Sequence, residues 1–134
     1  MRNYMVLLLL LSTSFISQTQ TPEEIVEASL ATYNRQDIEG FMSYFSEDIT
    51  LYDFNSGQLR AQGTEQIRNI FEELFKESPK LHSTIVNRLS FDNKVIDHES
   101  VTGARGNKTA FEVTMIYEIK DQKIFKMTSI QKTR

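Results

Sequence analysis

Residues 109–119, which read TAFEVTMIYEI, alternate between apolar and polar side chains more regularly than any other stretch of the chain. Successive side chains of a β-strand point to opposite faces, so one face of this stretch carries five successive apolar side chains, Phe111, Val113, Met115, Tyr117 and Ile119. Further strand patterns lie at residues 81–91, 95–102 and 124–130, and the dipeptide at 92–93 forms a tight turn between the first two. The second half of the chain therefore predicts an antiparallel sheet.

The first half of the chain is predicted to be mainly helical. Residues 21–24 (TPEE) form a capping box that begins one helix, Asp37 caps a second, and Thr64 caps a third that stops at Pro79. A strand pattern at residues 49–54 separates the second and third helices. This order predicts an α+β fold, in which a cone-shaped, curved antiparallel (mixed) sheet and three N-terminal helices enclose a pocket.

Composition narrows the functional classes. The chain has 134 residues, enough for one domain, with 40% hydrophobic and 25% charged residues. Its net charge is -3 and no cluster of Lys or Arg stands out, so we expect no nucleic-acid partner. The absence of cysteine from the sequence excludes disulfides, thiolate metal sites and cysteine nucleophiles.

The N-terminus has the pattern of a secretory signal peptide. Arg2 precedes an apolar run at residues 5–11, and small polar residues follow, with cleavage expected after Ser14 or Ser17. We therefore predict a signal peptide at residues 1–17, a domain at residues 18–134, and export to the periplasm or the medium. The alternative is an uncleaved membrane anchor, but the apolar run is short for a span, and we expect no stable membrane span after cleavage.

Three motifs carry a family resemblance. Residues 33–38 (YNRQDI) join the first two helices, residues 44–50 (YFSEDIT) lead into the first strand, and residues 63–67 (GTEQI) open the third helix. In order and spacing they resemble the nuclear transport factor 2-like superfamily with its SnoaL-like domains, over roughly residues 21–131. The resemblance implies a cone-shaped barrel, usually dimeric, with a pocket at its open end. The superfamily holds isomerases, cyclases, dehydratases and non-enzymes, so the fold leaves the function open.

Asp53 is the first candidate catalytic residue. It shares a strand face with Ile49 and Leu51, where burial would raise the pKa of its carboxyl group and suit it to general-base work. The resemblance places it at the general-base aspartate of ketosteroid isomerase. There are two alternatives: Asp53 caps the turn at residues 55–57, or the strand presents its opposite face to the interior.

The oxyanion-stabilising groups of ketosteroid isomerase do not carry over. The resemblance puts the position of that enzyme's tyrosine at Ser29 and the position of its protonated aspartate at Met115. Neither position therefore holds the residue type that the isomerase uses to stabilise its oxyanion. Tyr33 lies one helical turn beyond Ser29 and could bring a hydroxyl into the pocket instead.

His98 is the second candidate catalytic residue. A two-residue turn at 92–93 would pair Leu89 with Ile96 and Asn87 with His98, which would point His98 inward to form an acid–base pair with Asp53. The alternatives are a turn of three residues, which reverses the faces, and a histidine that is only hydrogen-bonded within the sheet. Because Asp97 and Glu99 point away from the face of His98, we predict no metal site, and we predict no cofactor.

These observations support three functional hypotheses. The first is a pocket lined by Tyr33, Phe111, Val113 and Met115 that binds a small hydrophobic molecule. The second is a lyase, isomerase or cyclase that uses Asp53 as its general base. The third is a homodimeric interaction module that pairs through an outer sheet face carrying Thr84, Val86, Arg88, Glu112 and Thr114.

Overall fold

The computed structural model describes residue 14 and residues 17–133. The predicted signal peptide lies outside the described residues apart from Ser14 and Ser17, so its cleavage and the export of the chain stay predictions. Among the helices of the described residues, none has the length and apolar content needed to cross a membrane.

Three helices form in the first half, as the sequence predicts: α1 (Pro22–Asn34), α2 (Ile38–Met42) and α3 (Gly63–Glu77). The capping box at the start of α1 is complete, with Thr21 and Glu24 each receiving the other's backbone N–H. Asp37 caps α2 by accepting from the backbone N–H of Gly40 at 3.0 Å. The third cap was predicted wrongly, because Gln62 precedes α3 and its side chain makes no capping hydrogen bond.

Six strands form one sheet: β1 (Phe45–Asp53), β2 (Leu59–Gln62), β3 (His82–Phe91), β4 (Lys94–Thr102), β5 (Phe111–Lys120) and β6 (Lys123–Gln131). Their spatial order is β2-β1-β6-β5-β4-β3. The pairing of β1 with β6 is parallel and all the other pairings are antiparallel. The predicted α+β fold with a mixed sheet is confirmed.

The strand β2 was not predicted, since it has only four residues and follows a turn.

The pairing of β3 with β4 contains a β-bulge that the sequence pattern did not reveal. Leu89 pairs with Ile96 and Asn87 with His98, as the two-residue turn predicts, but the register shifts between Ile85 and Asn87. The extra residue is Val86. From Val86 to the end of β3, each side chain points to the face opposite to the one that regular alternation predicts. Regular alternation would put Leu89 on the same face as the buried Leu81, but beyond the bulge Leu89 lies on the outer face and is 61% exposed.

The helices cover one face of the sheet. α1 contacts β3, β4 and β6, whereas α3 contacts β1 and β2, so the two helices cover different strands of the sheet. Where they approach each other, the rings of Tyr33, Phe41, Phe71 and Phe75 pack edge to face or tilted, with Phe41 and Phe71 centroids 4.7 Å apart. This aromatic cluster joins the three helices, and three of its rings, Tyr33, Phe41 and Phe71, line a space between the helices and the sheet.

Candidate functional site

A cavity of about 400 Å³ lies between the helices and the inner face of the sheet. Its walls are mostly apolar, with side chains from α1, α2, α3 and the central strands, among them Tyr33, Phe41, Phe71, Val113, Met115 and Met127. The four side chains that the sequence analysis assigned to a pocket, Tyr33, Phe111, Val113 and Met115, all lie along this cavity. What they bind stays a prediction.

Glu99, on β4, is the one buried carboxyl group among the residues that line the cavity, and it is 5% exposed. Its Oε2 accepts a hydrogen bond from Ser83 Oγ at 2.7 Å, and its Oε1 accepts one from the Tyr117 hydroxyl at 3.1 Å. Burial raises the pKa of Glu99 above the ordinary value, and the nearby Asp97 raises it further. Burial therefore favours the neutral form of Glu99 more than it would be favoured in an exposed glutamate.

The end of α1 fixes the position of Glu99 through Ser83. The Asn34 side chain accepts from the backbone N–H of Ser83 at 2.8 Å and donates to its carbonyl oxygen at 3.0 Å. Gln36, in the same turn, donates from Nε2 to the carbonyl oxygen of Leu81 at 2.8 Å. The turn that follows α1 is thus tied to the start of β3, which holds the Ser83 hydroxyl against Glu99.

Tyr33 brings a second polar group into the cavity. Burial raises the pKa of its hydroxyl, and the charge of Glu99 raises it further, whereas Arg105 lowers it. Among the residues of the described chain, none is hydrogen-bonded to this hydroxyl. The hydroxyl is therefore available to donate a hydrogen bond to a molecule held beside Glu99.

A second buried carboxylate, Asp97, lies two residues before Glu99 on the same face of β4. Asp97 is 0% exposed, and Arg88 binds it through two hydrogen bonds of 2.6 and 2.8 Å. Arg88 also reaches Glu27 on α1 at 2.6 Å. Because of the bulge, Arg88 points inward, so its assignment to the outer sheet face was wrong. The hydrogen bonds of Arg88 to Asp97 and Glu27 connect α1 to the sheet.

Asp53 does not reach the cavity with its carboxylate. It ends β1 opposite Ser129, but Oδ1 accepts from the Ser56 backbone N–H at 2.9 Å and from the Ser56 hydroxyl at 3.1 Å. These hydrogen bonds, the backbone one first, lower the pKa of Asp53, so the predicted increase is wrong in direction. Oδ2 lies 3.7 Å from Arg60, which does line the cavity. Asp53 therefore caps the turn that follows β1, which is the first of the two alternatives given above for this residue.

His98 lies on the outer face of the sheet, so the predicted inward orientation is wrong. Its pairing with Asn87 is the predicted one, but the bulge at Val86 places that pair on the face away from the helices. Nε2 lies 3.3 Å from Glu112, and each of these two side chains is 39% exposed. Asp53 and His98 therefore do not form an acid–base pair across the cavity. Within residues 14 and 17–133, no three His, Asp or Glu side chains converge as a metal site.

The pairing of β4 with β5 contained the signal that identifies Glu99. Glu99 pairs with Val113 and Asp97 with Met115, and directly paired residues share a face. The apolar stripe of β5 was recognised from the sequence. If the inward face of β4 is inferred from its pairing with that stripe, Glu99 points inward and His98 points outward. The inward face of β4 was inferred from β3, which is the strand that contains the bulge.

The chain is similar to known proteins both in sequence and in structure. The sequence model of the SnoaL-like domain matches residues 26–127. An uncharacterized cystatin fold protein from Novosphingobium aromaticivorans is similar with a TM-score of 0.75 and 24% identity, over 84% of this chain and 99% of that one. An NTF2-like protein of unknown function from Cytophaga hutchinsonii has a TM-score of 0.70 and 14% identity, with 85% and 92% covered.

A third similar structure is a hypothetical protein from Catenulispora acidiphila with a ketosteroid isomerase-like fold, in complex with trimethylamine. Its TM-score is 0.66 at 22% identity, over 82% of this chain and 85% of that one. At these identities the likeness concerns the fold alone. No curated protein matches the sequence.

Proposed function

This chain belongs to the SnoaL-like domain family, and from that premise we propose that it binds a small, largely apolar molecule in the cavity beside Glu99. The observation that carries the proposal is a cavity of about 400 Å³ with apolar walls and one buried carboxyl group. Sites for small molecules are typically concave, mostly apolar and provided with a few polar groups that orient the ligand. The complex of the Catenulispora acidiphila protein with trimethylamine supports small-molecule binding by this fold.

The alternative function, a lyase, isomerase or cyclase, is better served by Glu99 than by Asp53. A general acid or base must lie within hydrogen-bonding reach of its substrate and have a pKa near the working pH. Glu99 lines the cavity and its pKa is raised, whereas the Asp53 carboxylate is turned into its own loop and its pKa is lowered. The geometry therefore supports Glu99 in the role that the sequence suggested for Asp53.

Filling the cavity tests the binding proposal. We expect Met115→Trp to weaken the binding of naphthylmethanol about tenfold or more, because the larger side chain occupies the space that the apolar ring needs. The affinity is measured by isothermal titration calorimetry with the purified protein. Thr114→Trp adds a similar bulk to the opposite face of β5 and is the matched control, with an expected change within about twofold. Equal loss in both variants, or no binding by the unmodified protein, would contradict the proposal.

A homodimer is the second candidate function, favoured by apolar side chains on the outer face of β3. Leu89 is 61% exposed and Phe91 is 79% exposed, and both precede the tight turn into β4. Large apolar groups that lie together on a surface are typical of association sites.

We expect sedimentation velocity to show that the unmodified protein is a dimer. The double variant Leu89→Ser/Phe91→Ser should be a monomer at the same concentration, because it lacks the apolar contact. Phe54→Ser is the control, since Phe54 is 59% exposed at the end of β1 and should leave the dimer intact. A monomer at every concentration of the unmodified protein would exclude this function.

A further inference from the structure

Glu99 differs from Asp97, the other buried carboxyl group on the inner face of β4, because no cation of the described chain forms an ion pair with it. Arg60 pairs with Asp53 at 3.7 Å, Arg105 pairs with Glu77 at 2.7 Å, and Arg88 is taken up by Asp97 and Glu27. Glu99 accepts hydrogen bonds only from the hydroxyls of Ser83 and Tyr117, and it forms no ion pair with any residue of the described chain. Buried charges in proteins are normally paired. A molecule in the cavity can therefore supply the missing positive charge.

The two hydroxyls leave Glu99 able to accept further hydrogen bonds. An ionised carboxylate offers about four acceptor positions, and Ser83 and Tyr117 fill one on each oxygen. Both hydroxyls act as donors in these contacts, so they stabilise the ionised form while holding the carboxylate in place. The remaining positions suit the N–H groups of an ammonium ion, which has donors and no acceptor.

The aromatic wall beside Glu99 suits the same chemistry. Tyr33, Phe41 and Phe71 all line the cavity, with the Tyr33 and Phe41 centroids 5.8 Å apart and the Tyr33 and Phe71 centroids 6.3 Å apart. The face of an aromatic ring attracts a cation, and this attraction is strongest where water is excluded. Such a wall can hold an ammonium group as well as the apolar body attached to it.

We infer that the ligand is a protonated amine, whose ammonium nitrogen binds Glu99 and whose apolar body fills the cavity between the helices and the sheet. This inference rests on the proposed small-molecule function and adds the charge of the ligand to it. The opposite chemistry would be a ligand carbonyl oxygen that accepts a proton held by a neutral Glu99. The two differ in the charge that Glu99 carries in the complex, so they can be separated by experiment.

A pair of matched probes tests the inference. Naphthylmethylamine and naphthylmethanol have nearly the same shape, but only the amine is positively charged near neutral pH. We expect isothermal titration calorimetry to show that the protein binds the amine about tenfold or more tightly than the alcohol, because hydrogen bonds between charged partners are the stronger ones. If neither probe binds, the proposed function fails. If the alcohol binds as tightly as the amine, the proposed function stands and the amine inference fails.

Substitution of Glu99 locates the preference. In Glu99→Gln we expect the preference for the amine to fall to within about twofold while the alcohol still binds, because the amide keeps the size of the side chain and loses its charge. Glu112→Gln is the control, since Glu112 lies beside His98 on the outer face of the sheet and not along the cavity, and this variant should keep the preference. A preference that survives in Glu99→Gln would overturn the assignment.

The pH dependence of the unmodified protein provides an independent test that needs no variant. The charged and titratable groups facing Glu99 are Asp97, Arg88, Tyr117 and Tyr33, and burial keeps the pKa of Glu99 above the ordinary value. Because the amine requires ionised Glu99, its affinity should rise as the pH rises through that pKa, with release of a proton from Glu99 on binding. An affinity that falls over the same interval would overturn the inference and favour the neutral carboxyl group.

Discussion

Replacing Arg88 by methionine is expected to lower the free energy of unfolding by about 3–5 kcal/mol, because it leaves the carboxylate of Asp97 buried without its cation. Asp97 is 0% exposed, and both of its oxygens receive hydrogen bonds from Arg88, at 2.6 and 2.8 Å. The same arginine also reaches Glu27, so the substitution releases α1 from the sheet at this point. Urea denaturation of the unmodified protein and the variant measures the difference.

Two further variants give this prediction its controls. Arg68 also forms two hydrogen bonds with one carboxylate, that of Glu39, at 2.7 and 3.0 Å, but the Glu39 side chain is 77% exposed. Arg68→Met should therefore destabilise the protein much less than Arg88→Met does, because the exposed pair is screened by water. Adding Asp97→Asn to Arg88→Met should recover part of the loss, because the buried group is then neutral. Equal losses at Arg88 and Arg68 would show that the burial of Asp97 does not determine the effect.

The importance of Arg88 was hidden from the sequence by a single extra residue. Regular alternation along β3 puts Arg88 on the outer face, and it puts Leu81, Ile85 and Leu89 on the inner one. The bulge at Val86 reverses this assignment for the rest of the strand. Alternation can be read from a sequence when a strand is regular, but a bulge depends on the partner strand and has no pattern of its own.

The regular parts of the chain were predictable for the same reason. The capping box at Thr21, the cap at Asp37 and the alternation of β5 are local features, and each appears in the structure where the sequence places it. β2 is held by pairing with β1, a contact between segments that the sequence cannot show to be neighbours. The order of elements and the cone therefore followed from the sequence, whereas the edge strand did not.

In the candidate site, too, the part that follows a regular strand pattern was predicted from the sequence and the rest was not. The apolar wall was predictable because it follows the stripe of β5, whose side chains at 111, 113 and 115 line the cavity. The polar centre was not predicted, since the inward face of β4 was inferred from the bulged strand and Glu99 was passed over for His98. Asp53 ends its strand beside Ser129, which lines the cavity, but the hydrogen bonds from Ser56 decide where its carboxylate lies. Side chains at strand ends are oriented by the next loop, which alternation does not describe.

The loop after β4 carries the second large expected effect, at Gly103. This residue has φ of +73°, a left-handed conformation that favours glycine, and an added Cβ would overlap the backbone carbonyl group of Lys80. The left-handed conformation costs about 1–2 kcal/mol for an alanine, and overpacking against backbone costs about 1–3 kcal/mol. We therefore expect Gly103→Ala to lower the free energy of unfolding by about 2–5 kcal/mol, measured by urea denaturation.

Gly106 in the same loop provides the control that separates these two contributions. Its φ is +72°, nearly that of Gly103, but an added Cβ would meet no atom within 4 Å. Gly106→Ala should therefore cost only about 1–2 kcal/mol, and the difference between the two variants measures the close approach of Gly103 to Lys80. Equal losses would mean that the backbone conformation alone accounts for the effect.

Because Arg105, which lines the cavity, lies between these glycines, Gly103→Ala should also weaken naphthylmethanol binding more than Gly106→Ala does.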